Sequence, residues 1–145
     1  MSVYLKDQPF TPAVEIERFE ARQEAGSFGA TASFVGTMRH HNEGDSVAAM
    51  SLEHYPEMTE KQLLEIIGDA RKRWDIIDAL IVHRVGDIKP GSPIVLTAVC
   101  SSHRAAAFDA CRFLMEELKT RATFWKKETL SNGEQRWVEK NTPAS

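Results

Sequence analysis

Long apolar runs are missing from this chain of 145 residues. No stretch approaches the roughly 18 apolar residues that cross a bilayer as a helix, so no membrane association is expected. The opening residues, Met1-Ser2-Val3-Tyr4-Leu5-Lys6-Asp7, lack the apolar core of a signal peptide. Both absences make the cytoplasm the expected location. An excess of positive charge is missing too, with 18 Lys and Arg against 21 Asp and Glu and a net charge of -3. Broad nucleic-acid binding needs a basic domain, so that class is set aside. Cysteine is scarce, at two residues. Cys100 falls in an apolar segment and Cys111 on an apolar helical stripe, where reduced thiols act as small hydrophobes. A sulfur-relay cysteine would need an exposed, electropositive neighbourhood. Neither Cys-x-x-Cys nor His-x-x-x-His occurs, and the adjacent His40 and His41 point in different directions, so no metal and no other cofactor is expected. A Gly-x-Ser-x-Gly elbow is absent, which argues against a serine hydrolase. With no repeat, low-complexity stretch or linker, residues 1–145 are expected to form one domain.

The periodicity that is present describes an α+β fold. Thr11-Pro12 reads as the start of a helix carrying Ala13, Ile16 and Phe19 on one face, with Gly26 closing the segment. Ala30 to Gly36 and Ala48 to His54 alternate as strands, separated by a polar loop from Gly36 to Asp45. Pro56 breaks the second strand. Thr59 and Gln62 have capping-box spacing, and Leu63, Ile66, Ile67, Ala70 and Trp74 repeat as an amphipathic helix over 59–73. Ile76 to Val85 reads as a strand and Ile94 to Cys100, apolar on both faces, as a central buried one. Phe108, Cys111, Met115, Leu118 and Ala122 mark the stripe of a last long helix. Asn132-Gly133 signals a hairpin turn before a short strand from Arg136 to Glu139. Strands and helices do not alternate strictly, which favours a mixed or antiparallel sheet packed with two long helices over a doubly wound one.

Positive charge is concentrated where chemistry could use it. Residues 119–127 hold Lys119, Arg121, Lys126 and Lys127 with no acid, around the pair Phe124-Trp125. Such a patch on a mildly acidic chain suits a small anion. Lys119 sits at the edge of the helical stripe near Met115. A lysine against apolar surface and beside other cations can have a lowered pKa, which makes it a better nucleophile or proton-transfer group. It can equally be a helix-terminal lysine balancing the dipole. Arg39 follows a strand and a glycine, and its planar fork suits phosphate. Ser101-Ser102-His103-Arg104 opens the last helix just after the buried strand, where free N–H groups favour anions; a simple cap with basic neighbours reads equally well. His83 within its strand reads as a satisfied structural histidine.

Taken together, these stretches resemble the catalytic (large) subunit family of molybdopterin synthase. The resemblance is carried by Leu118-Lys119-x-Arg121-Ala122-x-Phe124-Trp125-Lys126-Lys127-Glu128. It is carried as well by Phe34-x-Gly36-x-x-Arg39, Leu52-Glu53-His54-Tyr55, His83-Arg84-x-Gly86 and Ser102-His103-Arg104. The motifs run in the family's order from about residue 28 to 140.

The resemblance implies an α/β-hammerhead-like fold and a sulfurtransferase of molybdenum cofactor biosynthesis. That enzyme converts cyclic pyranopterin monophosphate (precursor Z), a pterin phosphate, to molybdopterin. It inserts two dithiolene sulfurs taken from the C-terminal Gly-Gly thiocarboxylate of a small ubiquitin-like sulfur-carrier subunit. It further implies a homodimer within a heterotetramer. Lys119 and Lys126 match catalytic positions. Thr37, Met38, Arg39, His103, Arg104, Lys119, Lys126, Lys127 and Glu128 match substrate-binding positions. The chain ends Pro143-Ala144-Ser145 rather than Gly-Gly, so it is not expected to be the carrier. Thr123 stands where many relatives have proline, which would stiffen the turn between Lys119 and Lys126. The competing class is a non-catalytic module that binds a phosphate ligand or a partner's tail in the same basic pocket.

Overall fold

The structure is a computed structural model that describes residues 2–138. The expected strand end at Glu139 and the tail from Asn141 lie outside them. One sheet has the order β1(Ser2–Lys6), β5(Asp78–Arg84), β7(Pro93–Ser101), β2(Ala30–Thr37). Only β1 and β5 run parallel in it. Both faces of β5 and β7 are covered, as continuous apolar runs require. Ala79, Ile81, Val95 and Val99 face the helices α2(Pro56–Arg73) and α3(Arg104–Arg121). Leu80, Val82, Leu96 and Ala98 face Phe10 and Phe19, the latter on α1(Pro12–Ala21).

A second sheet has the path β3(His41–Asn42), β4(Asp45–His54), β8(Phe124–Leu130), β9(Gln135–Val138), with β6(Gly86–Ile88) also paired to β4. Its own core is Met38, Val47, Met50, Leu52, Ile88 and Leu130. The mixed α+β reading holds, with three helices and two sheets among the described residues rather than one sheet.

Several local expectations are corrected. The polar loop before Asp45 contains β3, paired to β4 across the turn Glu43-Gly44. Both turn residues have positive φ, 52° and 81°, as a two-residue hairpin turn demands. Thr59 does not cap α2, which starts three residues earlier at Pro56. Phe108 is 66% exposed; the buried stripe of α3 is made of the smaller Ala107, Ala110, Cys111, Leu114 and Leu118. The basic segment does not stay helical. It leaves α3 at Arg121 and returns along the second sheet as β8.

Candidate active site

The two sheets and the end of α3 meet around a hollow of about 440 Å³. Each wall follows from local sequence. The β2–β7 register shifts at Gly36/Thr37. A Cβ on Gly36 would lie 2.9 Å from Val95 Cγ1, so glycine lets β2 approach β7 closely there. The chain then turns out of the sheet. The Met38 N–H donates to Ser92 O at 3.0 Å and the Met38 carbonyl accepts from Gly91 N at 2.8 Å. Thr37, Met38 and Arg39 thereby line the hollow, the Arg39 side chain on an exposed residue at its rim.

The last turns of α3 supply Met115, Leu118 and Lys119, and β8 supplies Phe124, Lys126 and Glu128. Period-two alternation explains which residues of β8 take part. Phe124, Lys126 and Glu128 share the inner face. Trp125 and Lys127 share the outer face, and Lys127 Nζ lies 5.7 Å from the centroid of the Trp137 ring. Lys127, expected in the substrate site, is therefore outside the hollow.

Burial pushes the Lys126 ammonium below its ordinary proton affinity. Glu128 and Glu43 oppose that shift, while Lys119 and Arg39 reinforce it. Lys126 thus shares a partly desolvated space with Lys119 and Arg39, an arrangement that suits a small anion. Glu128, 3% exposed, accepts from Asn42 Nδ2 at 3.1 and 3.0 Å and from Arg136 Nε at 3.1 Å. Its carboxylate is occupied by protein donors, so its place in the hollow is that of a wall.

His103 and Arg104 are not brought to this hollow. They sit exposed at the start of α3, whereas Lys119 sits near its end. Arg104 and Lys119 are fifteen positions apart along α3, about 22 Å of rise. The Ser101 hydroxyl bonds the backbone of His103 rather than capping the helix.

His83 is the satisfied structural histidine expected from its strand, and it also faces the hollow. It is buried and stacks on Phe124 with ring centroids 4.0 Å apart. Its Nδ1 lies 2.7 Å from Arg84 O. A carbonyl only accepts, so Nδ1 carries the proton. Burial pushes its pKa down to about 4, against the bond to Arg84 O. The ring is therefore a neutral imidazole. The signal was available: Ala79, Ile81 and His83 alternate on one face of β5, so the polar end of that run meets the edge of the helix-side core. Asn42 and the interior role of Glu128 left no such trace.

The profile of the MoaE protein family matches residues 5–121. The molybdopterin synthase catalytic subunit of Salmonella typhimurium is 50% identical over 131 residues, covering 90% of this chain and 85% of that protein. Among solved structures, the molybdopterin biosynthesis MoaE protein of Burkholderia ambifaria superposes with a TM-score of 0.80 at 47% identity, over 94% of this chain and 88% of that one. A chain from a complex of subunits 1 and 2 of molybdopterin-converting factor from Helicobacter pylori shares the fold, with a TM-score of 0.79 at 18% identity, over 94% and 90%.

Proposed function

Because the chain belongs to the MoaE family of molybdopterin synthase catalytic subunits, we propose that its hollow is where cyclic pyranopterin monophosphate receives its two dithiolene sulfurs. The protein is an enzyme of molybdopterin biosynthesis. Its partner is a small sulfur-carrier subunit whose slim C-terminal Gly-Gly thiocarboxylate enters the hollow, a tail-capture mode of recognition. The cytoplasm is the compartment this chemistry suits.

The observation that carries the reading is that Arg39, from just past the end of β2, and Lys119 and Lys126, from the end of α3 and the strand that follows it, line one hollow with apolar walls. A flat heterocycle bearing a phosphate needs that combination. Arg39 and Lys126 hold the phosphate and offset charge that develops during transfer. Lys119 stands at the inner end of α3, where it engages the carrier's terminal carbonyl or moves a proton as sulfur leaves it. Met115, Leu118 and Phe124 exclude water. The two sulfurs come from two thiocarboxylates, each of which leaves as a carboxylate once water has replaced the sulfur.

His103 and Arg104 belong to the same site only if a second copy supplies them, since one chain holds them about 22 Å of helix away from Lys119. That requirement favours a homodimer at the centre of the assembly. Incubation with precursor Z and thiocarboxylated carrier tests the whole reading. One dithiolene product should form for every two carriers consumed. Stable binding of both ligands without product would instead establish the non-catalytic module.

A further inference from the structure

We propose that Arg136 is a positioning residue for this site: it locks the β3–β4 hairpin onto β8 and β9 and so fixes where Arg39 presents its charge. The inference rests on the reading of the hollow given above.

Arg136 pairs with Glu128 across β8 and β9. Its guanidinium donates from three nitrogens: Nε to Glu128 Oε1 at 3.1 Å, Nη1 to Asp45 Oδ2 at 2.8 Å and Nη2 to Asn42 O at 2.9 Å. Asn42 closes the triangle through Nδ2 to both Glu128 oxygens. Glu43 adds a longer ion contact at 3.7 Å. Three carboxylates from the hairpin and β8 therefore converge on one planar cation. Without it they repel one another, and Glu128 is left a buried charge with Asn42 as its remaining partner among these groups.

β3 is two residues long; besides its ladder to β4 and the Val47 N–H donating to His40 O at 2.7 Å, the side chains of Asn42 and Arg136 join it to β8 and β9. At the other end, Met38 is tied to the turn at Gly91 and Ser92. Only Arg39 and His40 lie between that tie and β3. Where the hairpin sits therefore decides where Arg39 sits. A lysine in place of Arg136 cannot span three acceptors in a plane.

Two measurements on Arg136→Ala test this. Hydrogen exchange of the folded variant should quicken over residues 38–47 and stay unchanged over β5 and β7. In steady-state turnover with precursor Z and thiocarboxylated carrier, KM for the pterin should rise about tenfold with a smaller change in kcat. In an Arg39→Ala background the same substitution should add less than about twofold. Unchanged exchange at the hairpin, or an equal multiplicative loss in both backgrounds, overturns the inference. If Arg136→Ala does not fold, Arg136→Lys and Asp45→Asn face the same criteria. Wild-type protein without turnover overturns the functional reading, whereas a hairpin that stays protected overturns the clamp itself.

Discussion

Gln62 on α2 holds the backbone of Thr123: the Thr123 N–H donates to Gln62 Oε1 at 2.8 Å. One helical turn earlier, Thr59 donates to the Thr123 carbonyl at 3.0 Å. The two residues whose spacing suggested a helix cap instead grip the turn between Lys119 and Lys126. The stiffness that proline would give this turn is supplied here by hydrogen bonds from a neighbouring helix.

That relationship predicts a coupling. Ala122 has φ -82° and ψ 137°, a conformation compatible with a following proline. Thr123→Pro removes the N–H bonded to Gln62 but gains from a restricted unfolded chain, so its net effect on stability should lie within about 1 kcal/mol. Gln62→Ala should cost about 1 kcal/mol in the wild type and close to nothing in Thr123→Pro. Denaturant unfolding of the four proteins measures this. An equal cost in both backgrounds would mean that the bond does not hold the turn.

His83 makes the fold acid-sensitive. The unfolded chain takes up a proton on this imidazole near pH 6.5, while the native protein resists until about 4. Between those values the unfolded state binds more protons, so stability contributed by the neutral ring is lost as pH falls, by roughly 3 kcal/mol across the window. His83→Phe keeps an aromatic partner for Phe124 and removes the titration. Thermal unfolding from pH 7 to pH 4 should lose a large part of its pH dependence in this variant; an unaltered profile would contradict the burial of a neutral histidine.

Lys126 should trade stability for binding. Its lowered pKa means that the native state disfavours the ammonium form. The cost is present at neutral pH, where the lysine is charged in both states, and disappears as pH rises through the folded pKa toward the unfolded value of 10.5. Lys126→Met should therefore raise the Tm at pH 7, with a gain that shrinks at alkaline pH, while turnover falls at least about tenfold. A lower Tm at pH 7 with intact turnover would reverse both parts.

Legibility in the sequence followed burial. The runs Leu80 to Val82 and Leu96 to Cys100 are apolar on both faces and announce the centre of a covered sheet. β8 was hidden because its alternation is written in charged residues: Lys126 and Glu128 face inward, Trp125 and Lys127 outward, which reads as a solvated helix end. Phe108 misled by size, since the true stripe of α3 is built from alanines and leucines that fit close to the sheet. Motif order placed His103 and Arg104 beside Lys119 in function, but a helix keeps its two ends apart, and sequence order does not say which copy of a chain supplies a residue. Nor could it show that Glu128 faces protein donors, because Asn42 and Arg136 are joined to it only by the pairing of β3, β4, β8 and β9.

Single-turnover transfer by Lys119→Ala tests the central claim most directly. The variant should fold, with a Tm within a few degrees of wild type, and should co-purify with the carrier subunit. Mixed with thiocarboxylated carrier and precursor Z, it should form dithiolene product at least about 100-fold more slowly. Product formation within about twofold of wild type would show that the lysine at the end of α3 does no chemistry in this hollow.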